Sequence, residues 1–223
     1  MATIRDVAVM ERTARREGQI QFARGRGGLG RLNGRVSHVL LIAAAALIGA
    51  SLLFPFWGMN LRAPQYPGGL QAQISITHLS GDVQELNGLN HYIGMMKMDE
   101  AAALERSLAV YLIPAFALLT LAAAFVRRRW WWLLVIPALG LPVVFMADLA
   151  AWLYYAGHAL DPRAPLSSSI KPFTPPLLGE GKIGQFNVIA SFEMGFYLVL
   201  AASILIAAAI ALRWRAATTR AVR

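Results

Sequence analysis

Imidazole and thioether donors crowd one short stretch of this chain. His91 is followed four residues later by Met95, with Met96 and Met98 close behind, and His158 stands far downstream, three residues before Asp161. There is no cysteine. That removes thiolate zinc sites, cysteine-ligated iron–sulfur clusters, covalent c-type haem and disulfides together. Imidazole and thioether without thiolate suit a soft cuprous ion. The metal candidates are therefore His91, His158, Met95, Met96 and Met98, with Asp161 as an acceptor that would orient a histidine ring. Copper is the one cofactor these residue types point to. The competing explanation is packing, since methionine fills irregular apolar gaps and no repeated Met-x-x-Met pattern is present.

Two carboxylates raise a different chemistry. Asp148 and Glu193 fall inside or at the edge of long apolar runs. An ionisable group at membrane depth is costly and marks a functional candidate by default. Trp152 and Tyr155 follow Asp148 at i+4 and i+7, so the three share a helical face that would suit a quinone. The plainer alternatives are a hydrogen bond from Asp148 to a neighbouring helix, and a negative charge at a helix N-terminus for Glu193. Asn90 and Tyr92 flank His91 and complete the set of candidates. Nucleophile elbow, Walker loop, His-Glu-x-x-His and dinucleotide fingerprint are all missing. No catalytic residue is assigned, and the protein is not expected to be an enzyme.

The elements that must position these residues are four apolar runs, at 36–57, 107–126, 130–155 and 192–214. Each is close to the ~20 residues that cross a bilayer as a helix. Within lipid a helix satisfies its own backbone hydrogen bonds. Apolar residues make up 57% of the 223 and charged residues 15%, which leaves room for one membrane domain and no separate soluble domain. The fold class expected is an all-α membrane protein of four transmembrane helices. Residues 1–35 form a basic, Gly- and Arg-rich tail expected to be flexible, 36–214 the membrane domain, and 215–223 a second basic tail.

Charge sets the orientation. Fifteen of the 21 Lys and Arg lie in 1–35, at Arg127–Arg129 and from Arg213 onward. By the positive-inside rule both termini are cytoplasmic and the loops 58–106 and 156–191 are outside. The net charge of +9 is then a topology signal with some attraction to anionic lipid, and nucleic acid is not an expected partner. Bacterial inner membrane is the expected location, with the lipid bilayer and a periplasmic or membrane protein as partners.

Both outer loops are expected to be ordered. In the first, Gln71–Leu79 alternates apolar and polar residues as a half-buried strand does, Ser80-Gly81-Asp82 turns the chain, and 83–86 would return as a second strand. Asp99 is placed to cap a short helix over 100–105. The second loop carries Pro162, Pro165, Pro172, Pro175 and Pro176, which stiffen it into a cap. Pro137 and Pro142 predict a kink in the third span.

Several blocks carry a family resemblance: Ala-Pro-Gln-Tyr-Pro at 63–67, Gly-Asp-Val at 81–83, Asn-Gly-Leu-Asn-His-Tyr-Ile-Gly-Met at 87–95, Gly-His-Ala-Leu-Asp-Pro-Arg-Ala-Pro at 157–165 and Pro-Pro-Leu-Leu-Gly at 175–179. Over residues 36–200 the chain resembles a family of small four-span membrane proteins encoded beside nitrous oxide reductase and its accessory genes. The resemblance implies an accessory protein that assists maturation or copper supply of that periplasmic enzyme. The alternative is a non-catalytic subunit of a membrane electron-transfer or enzyme complex, docking through its outer loops.

Overall fold

The structure is a computed structural model that describes residues 15, 33–126, 128, 130–166, 168–183 and 186–221. Most of the basic N-terminal tail lies outside the described residues, as do Arg127 and Arg129. Among the described residues, four helices are long and apolar enough to cross a membrane: α1 (Asn33–Ser51), α3 (Ala103–Phe125), the span Trp131–His158, and α5 (Met194–Ala221), whose apolar part is Met194–Thr218. The third span begins as a 3-10 turn, Trp131–Val135, and continues as α4 (Ile136–His158). Pro137 sits in the first turn of α4, where its missing N–H has no intrahelical partner to lose.

All-α is corrected by a five-stranded antiparallel sheet at one end of the bundle. Its strands are β1 (Trp57–Ala63), β2 (Tyr66–Ile74), β3 (Leu79–Gly81), β4 (Gly179–Ile183) and β5 (Phe186–Phe192), in the order β3-β2-β1-β5-β4. The two loops are therefore one structure. β1 leaves α1, β5 enters α5, and the two pair with Trp57 opposite Phe192 and Met59 opposite Ala190. Register sorts the side chains cleanly. Trp57, Met59 and Leu61 align with Ile74, Ala72 and Leu70 on one side and with Phe192, Ala190 and Val188 on the other, which makes one apolar face. The opposite face carries Asn60, Arg62, Gln71, Gln73, Lys182 and Asn187.

The first apolar run thus ends as a helix at Ser51, not at 57. Leu52 and Leu53 close a tight last turn on Gly49 and Ala50, and Pro55 then supplies no backbone donor. Residues 83–86 are not a strand; they open α2 (Val83–Ile93), whose Val83, Leu86 and Asn90 are buried at helical spacing. The short helix capped by Asp99 is also corrected. Helix α3 starts at Ala103 behind Ala102, a residue at φ 50, while the Asp99 carboxylate accepts from Asn87 Nδ2 at 2.9 Å.

Among the described residues, apolar clusters at both ends hold the bundle. Leu41, Ala44 and Ile48 of α1 pack with Ala202, Ile206 and Ala209 of α5, together with Ala123, Ala124, Trp131 and Val135. Beneath the sheet, Trp57 and Ala190 pack on Leu149, Phe145 and Leu153 of α4. Helix α2 covers the rest of the apolar face through Leu86 against Leu70 and Ala72.

Candidate functional site

The Asn-Gly-Leu-Asn-His-Tyr-Ile-Gly-Met block builds a folded-back hairpin of helix and loop. Gly94 ends α2 at φ 81, a left-handed turn that glycine adopts at no steric cost. Asn87 Oδ1 accepts from Met98 N at 2.8 Å, and Asn90 Nδ2 donates to Met96 O at 3.3 Å. These bonds lay Met95–Met98 back along α2. Asn90 is buried in this scaffold, so its side chain positions the methionines.

The second loop ties onto the same turn. Asp161 N donates to Gly94 O at 2.8 Å and Leu166 N to Tyr92 O at 3.0 Å. A Cβ at Gly94 would stand 2.6 Å from Asp161 O, so glycine is also required for this close approach. The Asp161 carboxylate itself accepts from Arg163 N at 2.9 Å and shapes the Asp-Pro-Arg turn. Trp57 Nε1 donates to Leu177 O at 2.7 Å, and Phe173 N to Gly157 O at 3.1 Å, which hold the proline-rich segment down on sheet and helix.

Under this cap lies a cavity of about 390 Å³. It opens between α3 and α4, whose other ends are joined where α3 packs on the 3-10 turn. Met59, Met95, Met96 and Met98 all line it. So do Asp148 and Trp152, while Tyr155 is exposed and meets the edge of Trp152 at 5.8 Å between ring centroids. The other two charged residues of its wall are Glu105 and Arg106. Sequence reasoning passed over this pair as ordinary loop charges. The signal available was their place one turn inside the second apolar helix.

The histidines do not line this cavity. His91 is exposed and its ring meets Tyr92 edge-on at 6.2 Å. His158 is exposed, stacks on Tyr154 at 4.0 Å, and shares a 2.9 Å hydrogen bond between Nδ1 and Tyr154 O. Among the described residues no three His, Asp or Glu side chains converge as a metal-binding group, and the soft donors that do share a wall are methionines. Glu193 sits at the β5–α5 junction, where its backbone N donates to Phe56 O and its Oε1 accepts from Ser191 Oγ at 3.2 Å. Its carbonyl accepts from Phe196 N and Tyr197 N as α5 begins, so it acts as a helix-start residue.

The fold and cavity define a four-helix, membrane-type bundle with a sheet cap at one end. Compared with known proteins, the chain matches no family model and no curated sequence.

Proposed function

We propose that this protein is a non-catalytic accessory protein of the bacterial inner membrane that serves a periplasmic copper enzyme, nitrous oxide reductase, by docking through its sheet cap. The observation that carries the reading is the joining of both loops into one sheet, apolar toward the bundle and polar on the other face. A sheet anchored to α1 and α5 is a rigid platform, and Arg62, Lys182 and Asn187 give its polar face hydrogen-bonding groups at fixed spacing. The Lys and Arg asymmetry supports a periplasmic cap, and the choice of partner rests on the resemblance carried by the sequence blocks at 63–67, 87–95 and 157–165.

The test is binding of the purified protein in nanodiscs to purified nitrous oxide reductase. Saturable binding that fails in Arg62→Glu/Lys182→Glu is the expected result. No binding by the wild type sinks the docking reading.

Copper supply to that enzyme is a second reading, favoured by four methionines that line the same cavity. Cu(I) competition titrations separate its versions. Copper lost in Met95→Leu/Met96→Leu/Met98→Leu assigns the cavity. Copper lost in His91→Ala/His158→Ala assigns the histidines. A wild type that takes up no Cu(I) ends the copper reading and leaves docking untouched.

A further inference from the structure

The cavity between α3 and α4 has a feature that neither docking nor copper handling uses. Arg106 Nε is buried with no hydrogen-bond partner, although Nη2 of the same guanidinium donates to Asp99 O. On the same lining, no described residue donates to the half-buried carboxylate of Asp148. One group can only donate, and the other, ionised, can only accept. Both line a space whose remaining wall is almost all apolar. Two charged groups of opposite sign converging on an apolar cavity make it a candidate binding site.

An occupant that satisfies both needs an oxygen acceptor for Arg106 and a hydroxyl donor for Asp148, on an apolar body. Trp152 and Phe145 offer aromatic faces, and Leu112 and Val144 of the two membrane-length helices are exposed along the rim. The volume of about 390 Å³ falls within the ~300–1,000 Å³ of small-molecule sites. A phospholipid head fits less well, because its phosphate would stand beside the carboxylates of Asp148 and Glu105.

We propose that this cavity binds a lipid-soluble quinol. One ring hydroxyl donates to Asp148, the oxygen across the ring accepts from the Arg106 guanidinium, and the tail leaves past Leu112 into the bilayer. The reduced form uses both polar groups and the oxidised form only Arg106, so the site prefers quinol to quinone. This proposal concerns binding alone, and it stands or falls independently of the docking partner.

The test is an anaerobic tryptophan-fluorescence titration of the protein in phosphatidylcholine nanodiscs with decylubiquinol and with decylubiquinone. Expected is one saturable site per chain, with the quinol bound at least fivefold more tightly. Asp148→Asn should weaken quinol about tenfold, in line with loss of a charge-assisted hydrogen bond, and leave quinone unchanged. Leu112→Trp, at a position 45% exposed and so able to fold, should block both by filling the entry. Circular dichroism confirms each variant's helix content. The proposal is overturned by a wild type without saturable binding. It is equally overturned by quinol binding that both variants retain, or by phosphatidylglycerol displacing the quinol at equal concentration.

Discussion

The two ends of the helical bundle each hold a charge within an apolar setting, and they treat it in opposite ways. At the end away from the sheet, each guanidinium nitrogen of Arg213 of α5 donates a hydrogen bond. Its Nε donates to Ser37 Oγ at 2.7 Å, Nη1 to Ala123 O at 3.0 Å and Nη2 to Ala124 O at 2.9 Å, and its Cζ lies 4.1 Å over the Trp131 ring. One guanidinium thereby joins α5 to α1, to the last turn of α3 and to the 3-10 turn. The carbonyls it reaches are ones a helix end leaves without an internal partner, at the negative end of the dipole. At the sheet end, Asp148 faces a cavity and receives no hydrogen bond from a described residue. The half-buried guanidinium acts as a clamp between helices, whereas the half-buried carboxylate ties no described element to another.

The largest effect is expected at the clamp. Arg213→Ala removes three charge-assisted hydrogen bonds and a cation–π contact at once. The loss should be about 3 kcal/mol, read as the unfolding midpoint in SDS titration of mixed micelles. Arg213→Lys should recover less than half, because one ammonium cannot span the two α3 carbonyls and Ser37 in the planar geometry of a guanidinium. Equal stability of the lysine variant would show that charge alone, and not the fork, does the holding.

A smaller loss is expected where the cap meets α4. A Cβ at Gly157 would lie 1.9 Å from Phe173 O, a backbone atom that cannot step aside without breaking the Phe173–Gly157 hydrogen bond. Gly157→Ala should cost about 2 kcal/mol, as overpacking does, and should speed proteolysis between residues 159 and 178. A variant as protease-resistant as wild type would mean that this segment is held from the sheet side alone, through Trp57 and Leu177.

How far these two ends could be read from sequence differs for a physical reason. Four long apolar runs declare themselves by hydropathy, and α3 and α5 are found close to where composition puts them. The strands are hidden by the same signal. Trp57–Ala63 does alternate, Trp57, Met59 and Leu61 against Asn60 and Arg62, but it abuts the apolar run of α1 and is too short to stand apart from it, and Phe186–Phe192 leads into α5 in the same way. Residues 83–86 are too few to show whether Val83 and Leu86 repeat at two or at three; Asn90, polar but buried, breaks the pattern that would have revealed the helix. The methionine cluster was legible as a group because Met95, Met96 and Met98 are neighbours in sequence. That Asp148 faces the same cavity, and that His91 and His158 do not line it, depends on the Asn87 and Asn90 hydrogen bonds and on the Asp161–Gly94 tie. Such tertiary bonds leave no mark on spacing.

The comparison between ends also predicts opposite signs. Asp148→Leu should stabilise the protein by about 1 kcal/mol in SDS titration, because it replaces a carboxylate without a donor among the described residues by an apolar side chain within a membrane-length helix. A destabilised Asp148→Leu would make Asp148 a structural residue like Arg213 and erase the contrast.

The smallest effect belongs to the residues that first drew notice for their chemistry. His158 is exposed, and its contacts run along its own helix, to the Tyr154 ring and the Tyr154 carbonyl one turn back. His91 is exposed with a ring contact only to its neighbour Tyr92. Neither ties one element to another, so His91→Ala and His158→Ala should each change stability by less than about 0.5 kcal/mol. A near-zero change makes the pair clean reporters: any loss of copper or of partner binding in them is then a loss of function and not of fold. A change above about 1 kcal/mol in His158→Ala would instead mean that the Tyr154 stack holds the end of α4 under the cap. The histidine would then belong to the scaffold that shapes the cavity.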